Sequence, residues 1–141
     1  MEKGVAIIAD PAGKGYYFAR GIYEYVKGKN ERNFPIYSIA IKVTEFRDGE
    51  FKDKILENIR GKNCFFVHDS NKEASRWFAE LAFVLDAMKF SSSTEINVVL
   101  PYTRFARQDR KDESRVGVNA KVLAKLVSGY ADRGMTVDLH V

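Results

Sequence analysis

The sequence predicts an α/β domain with a mainly parallel sheet, helices on both faces of the sheet and one antiparallel hairpin. Short apolar runs, typical of strands buried on both faces, alternate with segments whose apolar residues recur at helical spacing. The turn dipeptide Asp48-Gly49 lies between two strand-like segments and predicts the hairpin. A length of 141 residues is typical of one domain, so we expect residues 1–141 to form a single folded unit.

The first half of the chain contains the first strand and helix and then the hairpin. Residues 5–9 are an apolar run closed by Asp10-Pro11, and the following apolar residues keep helical spacing as far as Lys27-Gly28. Residues 34–43 predict the second strand, and residues 51–56 can return antiparallel to it. The hairpin tip is charged, so it is either a projecting functional element or a solvated turn, and the solvated turn is favoured because charged turn tips are common.

The second half continues the alternation of strands and helices. The predicted elements are a central strand at 63–68, a long amphipathic helix at 72–90, a strand at 96–100, a helix from 118 to about 129 and a last strand at 135–141. We find no internal repeats, linkers or low-complexity tracts, which agrees with a single domain.

Composition excludes several classes of protein. With 45% hydrophobic and 30% charged residues, the chain resembles ordinary globular proteins, and no apolar run reaches the roughly 18 residues of a membrane span. The first residues lack the pattern of a secretion signal, so we expect a cytoplasmic location. Cys64 is the single cysteine, which excludes an internal disulfide and a cysteine-based metal cage and suggests a core residue.

A basic segment follows the predicted strand at 96–100 and its Pro101. Residues 104–115, here named the basic loop, contain five arginine or lysine residues. Ligands of α/β sheets bind beyond the carboxyl ends of the strands, and arginine binds phosphate oxygens in a bidentate manner. The loop therefore predicts an anion site. The alternative is a mixed-charge surface loop, since the basic loop also contains three acidic residues: Asp109, Asp112 and Glu113.

Most familiar catalytic motifs are absent from the sequence. There is no serine-nucleophile elbow, His-Glu-x-x-His pattern or dinucleotide glycine fingerprint, and Gly13-Lys14-Gly15 lacks the spacing of a phosphate loop. Acyl transfer, zinc hydrolysis and hydride transfer therefore lack support, whereas phosphoryl chemistry remains. His68, at the end of a predicted strand, either makes local hydrogen bonds or acts as a ligand or base, and the local role is favoured.

The basic loop and its flanks resemble those of a known family. Pro101-Tyr102, residues 106–111, Ser114-Arg115 and Ala120-Lys121 are similar to the ATP-binding loop of ribose-phosphate pyrophosphokinases, also called phosphoribosyl pyrophosphate synthetases. Further segments resemble that family in the same order along the chain: 46–50, 58–61 with 65–67, 81–87 and 136–140. The resemblance implies a phosphoribosyltransferase-like fold.

The resemblance also implies an activity and a set of adenine contacts. The family's enzymes transfer the diphosphoryl group of Mg-ATP to ribose 5-phosphate, giving phosphoribosyl pyrophosphate and AMP. By resemblance, Phe46 stacks on the adenine while Asp48 and Glu50 accept hydrogen bonds from its edge. These three residues come from a neighbouring subunit in the family, so the resemblance implies a homo-oligomer.

The basic loop and the end of the chain supply the other implied contacts. By resemblance, Arg107 covers the second face of the adenine, and Gln108 and Arg110 reach the phosphates. His140 holds Mg²⁺ together with the nucleotide. Arg115 corresponds to a phosphate-sensing regulatory position of some members.

The chain departs from the family in length. Family members are about twice as long, and their second domain carries the ribose 5-phosphate loop and a catalytic lysine loop. The sequence ends within the cation motif, at His140-Val141, and Gly117 stands where most members have proline. We therefore expect an amino-terminal, ATP-binding half that contains no catalytic residue, binds ribose 5-phosphate only with the missing half and is inactive alone.

Two other functions compete with this one. A non-catalytic regulatory subunit associated with the synthetase has no physical need for the retained adenine and phosphate residues. A nucleic-acid binder suits the net charge of +4, but the acidic residues interleaved through the basic loop make nucleic acid an unlikely partner. If the chain is an isolated half, its exposed sheet edge predicts association or poor solubility.

Overall fold

The computed structural model describes residues 3–138, and the predicted elements are present in the predicted order. These elements are β1 (Val5–Ala9), α1 (Tyr16–Gly28), β2 (Ile36–Glu45), β3 (Phe51–Ile55), β4 (Asn63–Val67), α2 (Ala74–Phe90), β5 (Glu95–Tyr102), α3 (Asn119–Tyr130) and β6 (Arg133–Asp138). The last strand begins two residues earlier than predicted, and its predicted end at 139–141 lies outside the described residues.

The strands form one sheet in the order β3-β2-β1-β4-β5-β6. Every neighbouring pair is parallel except β2 and β3, which are joined by the predicted hairpin. From β1 the chain first adds strands on one side and then, from β4 onward, on the other. Because five of the strands are parallel, their carboxyl ends lie at one edge of the sheet, where α/β proteins bind their ligands.

Helices cover both faces of the sheet, as predicted. Helix α1 packs on the face that contains Ile7, Val67 and Val99. Helices α2 and α3 cover the opposite face, where Trp77 and Leu123 join the larger core. Strand β1 is buried on both sides by this arrangement, because its successive side chains point alternately to the two faces.

The central strand β4 shows why the cysteine belongs to the fold. Cys64 is fully buried in the larger core, and this burial raises the pKa of its thiol to about 12. The thiol therefore remains protonated, as expected for a structural core residue. Within residues 3–138, no helix has both the length and the apolar character needed to cross a membrane.

Candidate functional site

The hairpin extends well past the rest of the sheet edge on its side. Ala9, the last residue of β1, pairs with Ala40, and β2 then continues for residues 41–45 with only β3 beside it. At about 3.3 Å per residue, this extension is roughly 16 Å long. The structure therefore gives the hairpin a projecting form, whereas the sequence alone favoured a plain solvated turn.

The hairpin tip, residues 46–50, is closed by backbone hydrogen bonds. The Phe46 amide donates to the Glu50 carbonyl at 2.7 Å, and Gly49 has a φ of 91°, a conformation suited to glycine. The Asp48 carboxylate accepts a hydrogen bond from the Glu50 amide at 3.0 Å, and hydrogen bonding to Glu50 lowers the pKa of Asp48. The Phe46 ring is half exposed, so the tip presents an aromatic face beside two carboxylates.

Helix α2 supports the hairpin just below its tip. The Arg76 guanidinium lies 2.6 Å from a Glu45 carboxylate oxygen and 4.3 Å from the centre of the Phe51 ring. Phe51 also packs against Phe83 of α2, with 5.6 Å between the ring centres. These contacts fix both strands of the hairpin to the helix.

A buried polar cluster lies beneath these contacts. The Lys72 amine is 2.7 Å from an Asp10 carboxylate oxygen and 2.8 Å from a Glu80 carboxylate oxygen. Desolvation alone lowers the pKa of Lys72, but its hydrogen bonds to Asp10 and Glu80 raise the pKa above its ordinary value. The cluster is therefore charged and compact.

Asp53 completes this cluster from strand β3. Both of its carboxylate oxygens are buried, and neither has a hydrogen-bond donor among the described residues. Burial, followed by the neighbouring Glu80, raises the pKa of Asp53 to about 8. The carboxyl of Asp53 is therefore mainly protonated at neutral pH.

The segment after β1 surrounds a carboxylate of the chain itself. The Gly15 amide donates to Asp69 at 3.1 Å, and the Asn71 amide donates to the other oxygen of Asp69 at 2.8 Å. A side chain at Gly13 or Gly15 would place its Cβ 2.0 or 2.2 Å from the Asp69 oxygens. The two glycines thus accommodate Asp69, which agrees with the sequence reading that this segment is not a phosphate loop.

The beginning of the basic loop is anchored to α2 and to the segment after β4. Arg104 donates to the Ser70 carbonyl at 2.8 Å. Phe105 has a φ of 68°, and its ring centre lies 6.3 Å from that of Trp77 and 5.7 Å from that of Phe78. Only a firmly packed site keeps a bulky residue in this backbone conformation.

Gln108 closes the basic loop onto the start of α3. Its amide nitrogen donates to the Gly117 carbonyl and its amide oxygen accepts from the Asn119 amide, both at 2.5 Å. Val118, which precedes the helix, makes no side-chain capping bond. Gln108 therefore takes the role that a capping residue normally has, and this contact was missed by the sequence analysis.

The two predicted arginines of the basic loop remain exposed. Arg107 makes no side-chain hydrogen bond or ion pair within residues 3–138, and the nearest carboxylate to Arg110 is that of Asp109, 3.9 Å away. The side chain of Arg110 is 89% exposed. Both guanidinium groups are therefore free to bind an anion at the carboxyl edge of the sheet.

Of the two histidines for which the sequence suggested a role, the structure describes only one. His68 is buried, stacks on Trp77 and donates a 2.7 Å hydrogen bond from its Nε2 to the Trp77 carbonyl, which confirms the predicted local role. Burial lowers its pKa to about 4, so it is neutral. The predicted magnesium ligand His140 lies outside the described residues, and residues 3–138 contain no group of three or more His, Cys, Asp or Glu side chains placed to hold a metal.

Together these features define an α/β domain with a candidate anion site at the carboxyl edge of its sheet and a projecting aromatic hairpin. A family model described as the N-terminal domain of ribose phosphate pyrophosphokinase matches residues 17–130. The chain belongs to this family, and the resemblance inferred from the sequence is confirmed.

Individual relatives agree with this assignment. A putative ribose-phosphate pyrophosphokinase 2 of Listeria monocytogenes serotype 4b (strain F2365) is 43% identical over 101 residues, which are 71% of this chain and 32% of the relative. The ribose-phosphate pyrophosphokinase of Bacillus subtilis (strain 168) is 40% identical over 99 residues, 70% of this chain and 31% of the relative. The chain thus spans about a third of the length of these curated relatives.

The fold also matches a solved structure. The crystal structure of phosphoribosylpyrophosphate synthetase from Mycobacterium smegmatis superposes with a TM-score of 0.80 at 27% sequence identity. The match covers 99% of this chain and 44% of that one. The predicted fold class is therefore confirmed, and the described domain corresponds to less than half of the solved relative.

Proposed function

We propose that this chain is the ATP-binding half of a ribose-phosphate diphosphokinase, as a single amino-terminal domain over residues 1–141. The whole enzyme would transfer diphosphate from Mg-ATP to ribose 5-phosphate and form phosphoribosyl pyrophosphate. Family membership supports the reaction class. The observation that carries the proposal is the exposed Phe46 ring, with Asp48 and Glu50 beside it, on a hairpin that projects past the ligand-binding edge.

Adenine recognition follows from the chemistry of the two exposed groups. The Phe46 ring can stack on one face of the base, and the Arg107 guanidinium can cover the other face. The carboxylates of Asp48 and Glu50 are acceptors, and the amino group of adenine is a donor. An aromatic ring and a cation therefore form a clamp suited to a purine.

We assign the two halves of this clamp to different subunits. Strands β1 and β4 lie between β2 and β5, so three strand spacings separate the hairpin from the basic loop, about 14 Å. Two groups that contact opposite faces of one base at van der Waals distance lie only about 7 Å apart. The hairpin also projects outward from the domain, which suits a contact with a second copy. A homo-oligomer with shared sites satisfies both conditions.

We assign phosphate binding to the basic loop. Arg110 is exposed and free to contact phosphate oxygens. The amide of Gln108 is engaged with Gly117 and Asn119, so a phosphate contact by Gln108 requires one of these bonds to be exchanged. Mg²⁺ would enter with the nucleotide, and His140 is its proposed protein ligand.

Turnover belongs to the whole enzyme in this proposal. We assign no catalytic residue to this chain, and we assign ribose 5-phosphate binding to the additional length that the relatives have. A turnover assay with ATP and ribose 5-phosphate should therefore give no product with this chain alone.

Calorimetric titration with Mg²⁺ and a non-hydrolysable ATP analogue tests the binding function. We expect submillimolar binding that Phe46→Ala and Arg107→Ala each weaken by about tenfold or more. Phe90→Ala removes a ring that is even more exposed than that of Phe46, at the carboxyl end of α2, and is the control. A silent titration of the parent protein would contradict the proposal and favour the alternative, a non-catalytic subunit associated with the synthetase.

A further inference from the structure

We propose that Arg76 is a positioning residue for base recognition, a role that rests on the proposed function. Arg76 does not belong to the predicted nucleotide contacts. It lies on α2, whereas Phe46 and the two carboxylates proposed to contact adenine lie on the hairpin tip. Its inferred task is to hold the tip at the position from which Phe46 can stack on a base.

The first argument is where Arg76 contacts the hairpin. Glu45 and Phe51 are opposite each other and form the last cross-strand pair before the tip. Arg76 contacts both members of this pair, Glu45 through a 2.6 Å ion pair and Phe51 through its ring at 4.3 Å. Phe46 is the next residue after Glu45. A displacement of this pair is therefore transmitted directly to the stacking ring.

The second argument is that the hairpin near its tip is supported by α2 rather than by the neighbouring strand β1. Beyond Ala40, strand β2 pairs only with β3. A two-stranded ribbon in water is at best marginally stable without packing against another element. The α2 contacts supply this packing, and Arg76 contacts both strands at the final pair.

The third argument is that Arg76 is itself held in place. Its Nε donates to Glu80 at 3.2 Å, and Glu80 is buried and bound to Lys72. The guanidinium is planar and carries several donors in a fixed arrangement, so bonds to Glu80 and Glu45 together orient it. The buried cluster thus provides a rigid base from which Arg76 reaches the hairpin.

Two variants separate positioning from general stability. Arg76→Met keeps much of the aliphatic stem over Phe51 and removes the charge and its hydrogen bonds. Glu45→Gln removes only the hairpin charge that pairs with Arg76, and it serves as the second variant if Arg76→Met unfolds. Arg20→Met is the matched control, because Arg20 also faces a glutamate, Glu24 at 3.9 Å, but lies on the solvent-exposed side of α1.

The experiment compares binding of a Mg-ATP analogue with binding of inorganic tripolyphosphate, which has no base. We expect Arg76→Met to weaken binding of the analogue by about fivefold to tenfold. This is the combined contribution expected of a partly exposed ion pair and a cation–π contact. Tripolyphosphate affinity should stay unchanged, and amide hydrogen exchange over residues 44–51 should accelerate without ligand. A merely structural role would lower both affinities together.

The outcomes distinguish this inference from the proposed function. If the parent protein binds no analogue, the proposed function fails and the role of Arg76 fails with it. If the parent binds but Arg76→Met and Glu45→Gln bind the analogue as the parent does, only the inference is overturned. Equal losses for analogue and tripolyphosphate also overturn it, because base recognition is then not the property that Arg76 controls.

Discussion

Replacing Asp53 by asparagine should stabilise the fold, and the gain should grow with pH. The carboxyl of Asp53 is buried against Glu80, and its pKa is raised from an ordinary 3.8 to about 8. An asparagine amide can donate a hydrogen bond to Glu80 at any pH without needing a proton from solution. The substitution therefore removes the loss of stability that deprotonation of Asp53 causes as the pH rises.

The sign follows from the two pKa values. Between about pH 4 and pH 8, folded Asp53 keeps a proton that the unfolded chain has released. The stability contribution of the protonated group is complete below about pH 4 and is lost as the pH rises to about 8. The parent protein should therefore become less stable over this range, and Asp53→Asn should not share this part of the decline.

The magnitude follows from the same values. At about 1.4 kcal/mol per pKa unit, the raised pKa would change the free energy of unfolding by about 6 kcal/mol if the Asp53 carboxyl were completely removed from water. Asp53 as a residue is only partly buried, and solvent screening reduces the expected effect to about 2 to 3 kcal/mol at pH 8. At pH 5 the same reasoning gives an expected gain in the free energy of unfolding of about 1 kcal/mol or less.

Urea unfolding at pH 5 and at pH 8.5 measures this difference. Asp112→Asn, at an exposed carboxylate of the basic loop, is the control and should leave the pH dependence as in the parent. An equal gain from Asp53→Asn at both pH values, or a loss at pH 8.5, would refute the raised pKa of the buried Asp53 carboxyl.

Three further predictions concern the supporting structure. Gly13→Ala should lower the melting temperature, because its Cβ meets Asp69, and the additional substitution Asp69→Ala should recover part of the loss. Gln108→Ala should cost about 1 kcal/mol in thermal unfolding, the usual cost of losing a helix cap, whereas Lys111→Ala should cost little. His68 should show no NMR titration between pH 5 and 7, and stability should fall as the pH drops from 6.5 to about 4, since only the unfolded chain takes up that proton. A His68 titration near pH 6.5 would contradict its buried, neutral state.

The order of the elements was predictable because its causes are local. Residues 5–9 are apolar without interruption since both sides of β1 are covered, and that pattern is visible in the sequence. The dipeptide Asp48-Gly49 provides the positive φ that the hairpin turn needs. Local patterns of this kind fixed the number and type of elements, while boundaries shifted by a few residues.

The support of the candidate site was not predictable because it depends on distant contacts. Arg76 and Glu45 are 31 residues apart, and no periodicity pairs them. Gln108 completes α3 from 11 residues away, although nothing in its neighbourhood resembles a cap. Asp53 reads as an ordinary polar residue of a hairpin strand, and only the packing of α2 buries its carboxyl. The exposed residues were identified through the family resemblance, and their supports were identified through the fold.

The central claim is that a purine lies between Phe46 of one subunit and Arg107 of another, and subunit mixing tests it most directly. Phe46→Ala and Arg107→Ala are each expected to weaken binding of the ATP analogue by about tenfold or more. In a two-fold pair that contains one of each variant, one site carries both lesions and the other carries neither. After subunit exchange, an equimolar mixture should recover about a quarter of the binding sites at parental affinity. No recovery in a mixture that demonstrably exchanges subunits would contradict the shared site.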